Sequence, residues 1–578
     1  MARPSFKASM ASMESAPSIG KGEVDEREVE DGSSETPNRR LTRSAGTVSL
    51  GVMVSRVLGL VREQILAYLF PAKIGLDAFY AAFRIPNLLR DMFAEGALSK
   101  AFVSTFSEIE KKEGRESALR LVSVVLNALV LVVGAIAVLG MLYTEPIVDA
   151  VLPGAGFDLA LSPEEGFGFA TKRDLTVALT RVMFPFILLV SIAALVMGVL
   201  NAQGRFFVPS LASSFFNLGS LVVGLVGYVL APRFGHHPTM GMAIGVLAGG
   251  ALQLLCQVPT LLRLGYRYRP LLSLRDPWLS QVMRLFLPGA VVASTVQVNV
   301  LVNQIFASRG EGWLSWITQS FRILHLPIGL VGVAISVATL PALSRAMARG
   351  DKKEFRETFS YATRLTIFFM VPATVGLLVL AIPIVRLIFE QGRFGPEDTV
   401  QVAAALRCYA VGLISFAAVK IVTDAFYAVR DIRAPLVVSL LSMISNAFLN
   451  WFFVVELGLD HRGLALATSG TMTISLVLLW IMFRIRSRIG RLDGRQTIVT
   501  LAKTTAASVV MGALAFITFR GLDNAFGHDA VWARLLQVGL SIAVAVAVYS
   551  LGCKLLRVRE LDQALSALLP RRNRLEVT

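Results

Sequence analysis

Apolar stretches long enough to cross a lipid bilayer recur along most of this chain, and they leave it few ways to fold. A hydrocarbon core about 30 Å thick is spanned by roughly 20 helical residues. On that template about fourteen segments stand out, at roughly 48–70, 79–107, 117–142, 175–201, 208–231, 239–264, 281–307, 313–345, 357–382, 400–428, 434–457, 463–485, 498–520 and 531–556. Backbone amides inside a bilayer must find partners within the protein, so helices are the expected form. The fold class expected is an all-α polytopic membrane protein with about 14 transmembrane helices. Composition agrees: 54% of the 578 residues are hydrophobic and the mean hydropathy is +0.64, beyond what a soluble core of this size requires.

The net charge of +16 raises the question of nucleic acid, but its placement answers otherwise. Basic residues crowd every second connection: Lys111, Lys112 and Arg115; Arg263, Arg267, Arg269 and Arg275; Arg345, Arg349, Lys352, Lys353 and Arg356; Arg484, Arg486, Arg488, Arg491 and Arg495. Connections between them hold few, such as Arg233, Arg309 and Arg462. Such alternation follows the positive-inside rule, so both termini are expected in the cytoplasm and no nucleic acid is expected as a partner. Residues 1–46 are Ser/Glu/Arg-rich and too polar for a signal peptide, and are read as a disordered cytoplasmic tail. The longest connection, about 143–174, is acidic and falls on the outer side; residues 558–578 form a second cytoplasmic tail, with Leu561, Leu565, Leu568 and Leu569 at interfacial-helix spacing. Cys256, Cys408 and Cys553 read as small hydrophobes with no metal spacing, and no cofactor is expected. His236, His237, His461 and His528 fall in predicted outer loops and are expected to be solvated.

Two of the expected helices carry charge where apolar residues belong. An ionised side chain at bilayer depth costs a few kcal/mol, so it normally faces a water-filled cavity or a partner. At about 100° per residue, Ser55, Arg56, Gly59, Arg62 and Glu63 share roughly 100° of the first helix. Arg84, Asn87, Arg90, Asp91 and Glu95 share roughly 140° of the second. Two charged stripes turned toward one interior are the pattern of a transport pathway. For Arg84, near a helix end, snorkelling to the interface explains its position equally well. Asn217, Gln297, Asn299 and Asn303 each read more readily as interhelical hydrogen-bond glue than as cavity lining. Phe389-Glu-Gln-Gly392 reads equally as a helix C-cap turn.

An internal echo organises the rest. Phe83-Arg84-Ile85, followed by Pro86, recurs as Phe321-Arg322-Ile323, followed by Pro327; the junction ending in Pro209 has a counterpart ending in Pro435. A repeat of six helices keeps both copies in one orientation, giving two lobes related by an axis along the membrane normal. The expected division is an N-terminal lobe over 47–270, a C-terminal lobe over 271–490, and two further helices over 491–557.

The blocks Ser55-Arg-Val-Leu-Gly-Leu-Val-Arg62, Asp77-Ala-Phe-Tyr80, Phe83-Arg-Ile-Pro-Asn-Leu-Leu-Arg90 and Phe93-Ala-Glu-Gly-Ala97 closely resemble the opening of the MurJ (MviN) family of lipid II flippases. That family sits within the superfamily of multidrug, oligosaccharidyl-lipid and polysaccharide exporters. The likeness continues through Asn201-Ala-Gln-Gly-Arg-Phe206, Leu287-Pro-Gly289, Phe389-Glu-Gln-Gly392 and the stretch from Lys420 to Pro435, and covers about 48–556. It implies an inner-membrane transporter of lipid II, with membrane lipids and cell-wall synthesis proteins as companions. It also implies a cationic central cavity, and a lipid-tail groove formed by helices 13 and 14. Arg56, Arg62, Arg90 and Arg322 match the positions that engage diphosphate and headgroup, with Asp77, Glu95 and Glu63 as candidate charge partners. A guanidinium fork binds phosphate oxygens bidentately and keeps its proton when desolvated.

Three departures from the family pattern stand out. Ser320-Phe321-Arg322 replaces Ala-Asp-Arg, removing a carboxylate beside the arginine, and His325 stands where an acid is sometimes found. Where some members hold sodium with carboxylates, this chain has Asn303, Asn446 and Asn450, which read as an ion site without charge or as a polar cavity. No phosphate-binding loop, zinc-protease motif or nucleophile elbow is present. A membrane-embedded glycosyl or phosphoryl transferase is the reading from a different class. The nearer rivals are a flippase for another polyprenyl-linked polysaccharide and a multidrug exporter.

Overall fold

The computed structural model describes residues 37–93, 97–273, 275–486, 489–490 and 493–568, and these are helices and their connections apart from one isolated bridge between Ala160 and Thr171. In chain order the helices used below are α1 (Pro37–Leu69), α2 (Asp77–Phe93), α3 (Ala97–Glu113), α4 (Arg115–Leu142), α5 (Lys172–Ala202), α6 (Phe207–Phe234), α7 (Pro238–Arg263) and α8 (Pro277–Ala307). They continue as α9 (Trp313–Ala348), α10 (Lys352–Val379), α11 (Pro396–Val411), α12 (Leu413–Ala428), α13 (Arg433–Glu456), α14 (Asp460–Arg486), α15 (Gly494–Phe526), α16 (Val531–Leu555) and α17 (Arg559–Leu568). Among the described residues ten helices are long and apolar enough to cross a membrane, or eleven when α11 and α12, bent by 43°, count as one span.

Those eleven spans coincide with eleven of the fourteen expected segments. The other three, 48–70, 79–107 and 281–307, are also helical, as α1, as α2 with α3, and as α8. The second is two helices rather than one, set either side of residues 94–96, which lie outside the described residues. Part of the expected N-terminal tail is helical, since the described part of α1 runs from Pro37; residues 1–36 lie outside the described residues. By contacts the chain divides between Thr47 and Val48, and the packing below concerns residues 48–578.

Small residues set the closest helix pair. Gly241, Gly245 and Gly249, four apart on α7, face Gly219, Gly224 and Gly227 of α6, and a Cβ at Gly241 would collide with the backbone of Gly227. Backbones that approach this closely gain packing that lipid tails do not supply. A relay of rings, Phe79 to Phe83 to Phe186 to Phe216, joins α2, α5 and α6 and ends beneath the first charged stripe. Helices α15 and α16 dock on α10 through a separate small core of Phe368, Ala507, Met511, Tyr549 and Cys553, where Tyr549 Oη donates to the Phe368 carbonyl at 2.6 Å.

One end of the bundle is tied across long sequence separations. Lys172 and Asp77, both fully buried, pair at 2.6 Å, and Asp77 also accepts from the backbone N–H groups of Gly312 and Ser315. Gly154 N–H donates to Ser308 Oγ, Lys73 reaches Glu397, and Arg393 N–H donates to the Tyr68 carbonyl. His236 and His528 are exposed as expected. His237 and His461 are not: they are 6% and 2% exposed. His237 Nδ1 caps α7 by accepting from Thr239 N–H, and His461 lies against the Trp316 ring and the Gln401 carbonyl. Burial, with Arg393 adding a smaller repulsion, depresses the His237 pKa to about 4.

Candidate functional site

The charged stripes of α1 and α2 meet α5, α6, α7 and α9 around a cavity of about 450 Å³. Four arginines line it: Arg62, Arg84, Arg90 and Arg322. Neutral polar groups complete its wall, among them Asn87, Ser213, Asn217, Gln253 and Thr318, together with the apolar face of α5 from Val190 to Met197. No carboxylate is among the described residues of the wall. Three of the four arginines are nevertheless compensated from just behind it.

Glu63 is the hub. Its side chain is buried, and Oε1 sits 2.9 Å from both Arg62 Nη2 and Arg322 Nη2 while Oε2 accepts from Tyr80 Oη at 2.5 Å. A buried carboxylate survives in apolar surroundings only when paired and hydrogen-bonded in this way. The pairing supplies from α1 the carboxylate that is missing beside Arg322 in the sequence. Arg62 also lies over the Phe216 ring at 5.4 Å, which fixes the guanidinium against the aromatic relay. Arg90 has its own partner: Nε and Nη2 both reach Asp91 Oδ1, at 3.0 and 2.7 Å, and Asn87 and Gln297 donate to the other oxygen.

Arg84 is the exception. It lines the cavity, and no hydrogen bond or ion pair ties it to a described residue. The two copies of Phe-Arg-Ile therefore place both their arginines, Arg84 and Arg322, on one cavity wall. Arg84 thus lies on the cavity wall.

Several expected site residues lie elsewhere. Arg56 is on α1 but does not line the cavity; its Nη1 occupies the space left by the missing Cβ of Gly329, where any side chain would collide with it. Six residues along a helix is about 9 Å of rise, so a shared face with Arg62 is a different depth. Asp77 is not a partner of the cavity arginines, because Lys172, invisible to any local pattern at 95 residues' separation, takes it. Glu95 lies outside the described residues. Phe389-Glu-Gln-Gly392 is structural: Gly392 has φ +62°, and Glu390 pairs with Arg386 and Arg534.

Asn303, Asn446 and Asn450 do come together, on α8 and α13. Asn450 Nδ2 donates to Asn303 Oδ1 at 2.7 Å and to Asn446 Oδ1 at 3.1 Å, and Asn303 Nδ2 lies 3.5 Å from Thr468 Oγ1. Two of the three amide oxygens are thus engaged, leaving Asn450 Oδ1 as the buried oxygen without a partner. One neutral oxygen without any carboxylate is a poor match to a sodium ion, which needs several oxygens and gains from charge. The cluster fits a hydrogen-bonded amide junction between helices, and no coupling step is assigned to a metal there.

A many-helix bundle around a cation-lined interior is the arrangement expected of a membrane transporter, and the fold is shared with solved transporters. A solved lipid II flippase MurJ in an inward closed conformation superposes with a TM-score of 0.70 over 88% of this chain and 98% of its own, at 24% identity. An inward-facing multidrug resistance MATE family transporter of that superfamily gives 0.63 over 77% and 98%, at 16% identity. The family model for lipid II flippase MurJ matches residues 66–531. The probable lipid II flippase MurJ of Vibrio cholerae is 34% identical over 83% of this chain and 89% of its own length, and the lipid II flippase MurJ of Burkholderia cenocepacia is 33% identical over 77% and 84%. The chain belongs to the MurJ family, whose members are transporters and not enzymes.

Proposed function

We propose that this protein carries lipid II, the undecaprenyl-diphosphate-linked precursor of peptidoglycan, from the inner to the outer leaflet of the bacterial cytoplasmic membrane by alternating access. The observation that supports this reading is a cavity wall bearing four guanidinium groups and no carboxylate among its described residues. A diphosphate offers paired anionic oxygens that match such forks, and low dielectric strengthens each contact. Arg84 meets the anion without first giving up a partner. Arg62 and Arg322 share one Glu63, so an entering diphosphate is attracted by more positive charge than the carboxylate cancels. Because Glu63 and Arg322 lie on α1 and α9, substrate binding alters a contact between the two proposed lobes, 47–270 and 271–490. The undecaprenyl chain is assigned to a groove along α15 and α16, whose outer faces expose Val509, Ile517, Leu536 and Val546.

Fourteen spans with both termini cytoplasmic place the 143–174 connection, and the ties around Asp77, on the outer side. The test is depletion of the native protein with complementation by variants, scoring lipid II against other polyprenyl-linked intermediates. Accumulation of lipid II alone is expected. Accumulation of a different polyprenyl-linked saccharide would assign the cavity to that substrate instead.

A further inference from the structure

A second strongly cationic cavity, about 570 Å³, lies away from the central one, at the ends of α4 and α7. It is lined by Arg115, Arg120, Arg263, Arg267 and Arg269, with Glu116 as the single carboxylate among the described lining residues. Glu116 is engaged by Arg269 at 2.8 Å. Arg120, Arg263 and Arg267 form no ion pair with a described residue. Five exposed guanidiniums against one carboxylate leave the cavity with a surplus of positive charge.

The basic loop is held in place. Arg115 donates to the Leu264 carbonyl at 2.7 Å, Tyr266 is buried with its hydroxyl 3.1 Å from Ser123 Oγ, and Asn127 donates to the carbonyls of Arg269 and Leu271. Beside the arginines, Leu262, Tyr268 and Leu272 are more than half exposed, at 56%, 59% and 53%. Exposed aliphatic groups with a tyrosine mark the level of a membrane–water interface. The held loop therefore presents its guanidinium groups beside the exposed apolar residues that mark headgroup depth.

We propose that this cavity is a binding site for a phosphate-bearing anion, either the headgroup of an anionic phospholipid or a soluble phosphate. It is separate from the central cavity and independent of what that cavity carries. Guanidinium pairs favour phosphate over carboxylate or zwitterionic headgroups because they meet two oxygens at once. Basic pockets between spanning helices attract anionic lipid with an energy that accumulates for each cation near the surface.

The experiment is native mass spectrometry of the full-length protein in detergent, titrated with phosphatidylglycerol or phosphatidylcholine. Replacing Arg120, Arg263 and Arg267 together by Gln is expected to weaken the first phosphatidylglycerol adduct roughly a hundredfold, leaving phosphatidylcholine adducts unchanged. The comparison variant, with Arg345, Lys353 and Arg484 replaced by Gln, loses the same charge and should change binding less than about threefold. Glu116→Gln, which frees Arg269, should tighten the adduct about fivefold, an effect that a purely structural loop would not give. Displacement of the lipid by millimolar inorganic phosphate would identify a soluble phosphate as the ligand, and persistence would identify the lipid. Equal weakening in the two triple variants, or none in either, would overturn the proposal.

Discussion

Arg84→Met separates stability from function more sharply than any other single change in the cavity. The substitution keeps side-chain length and removes a cation that no described residue pairs with, close enough to Arg322 to be repelled by it. An arginine at the centre of a membrane helix costs about 2.5–3.5 kcal/mol. Arg84 is half-buried on a cavity wall, so the saving on its removal shrinks to about 1 kcal/mol. The empty variant should therefore melt at a higher temperature than the native protein in the same detergent. Binding should move the other way. A hydrogen bond to a charged group contributes about 1.5–3 kcal/mol, so lipid II affinity should fall roughly 10- to 150-fold. Arg84→Lys should recover part of it, since an ammonium supplies charge without the fork. Thermal melts and lipid II titration on one purified sample decide the matter. A variant that melts lower would mean that Arg84 is held by contacts of its own, and unchanged affinity would mean that the cavity does not bind the diphosphate there.

Glu63→Gln should do the opposite, lowering stability by about 3–5 kcal/mol in a melt because Arg62 and Arg322 lose their shared carboxylate; a melting temperature within a degree of native would contradict the hub. Gly329→Ala should displace the Arg56 guanidinium from its seat and lower complementation, while Arg56→Ala in the Gly329→Ala background should cause no further loss. His237 is neutral when folded, with a pKa near 4, and takes up a proton near pH 6.5 when unfolded. Its contribution is complete above pH 6.5 and falls away as pH drops toward 4, by about 3 kcal/mol in all. Melts at pH 7 and pH 5 should show about 2 kcal/mol of that loss, and His237→Asn should flatten it. Activity in vesicles should survive replacement of sodium by choline at constant membrane potential, since the amide cluster of Asn303, Asn446 and Asn450 brings no charge. Loss of transport on that exchange would show a working ion site.

The membrane fold was legible because hydropathy is local: the length of each apolar run is set by bilayer thickness, and eleven runs reappear as apolar spans. Charged helices were harder. Angular position put Arg62, Glu63 and Arg90 on the side where the cavity lies, yet it carries no information about depth, and Arg56, on the same face, lies beside Gly329 and off the cavity wall. Ion-pair partners were the least legible, because Lys172 and Asp77 meet across 95 residues and Glu63 and Arg322 across more than 250. Asp91, adjacent to Arg90, could have been found from the sequence, since it sits on the same stripe. The histidines show the same limit: a loop position suggested solvent, but tertiary contacts buried His237 and His461.

The Phe-Arg-Ile echo links sequence to mechanism. Each copy lies in a helix that contains a proline, Pro86 within α2 and Pro327 within α9, and each delivers an arginine to the same cavity. The two arginines are not equivalent: Arg322 is tied to Glu63, whereas Arg84 pairs with none of the described residues. A symmetric pair would hold an anion equally from both sides and give no reason for the lobes to move. In the mechanism proposed above, with Arg322 tethered to Glu63 and Arg84 unpaired among the described residues, an arriving diphosphate would contact Arg84 at once but compete with Glu63 for Arg322. On that proposal, binding would be coupled to the Glu63–Arg322 contact between α1 and α9. That coupling is what alternating access requires, since a ligand shifts a conformational equilibrium only through a difference in its affinity for the two states.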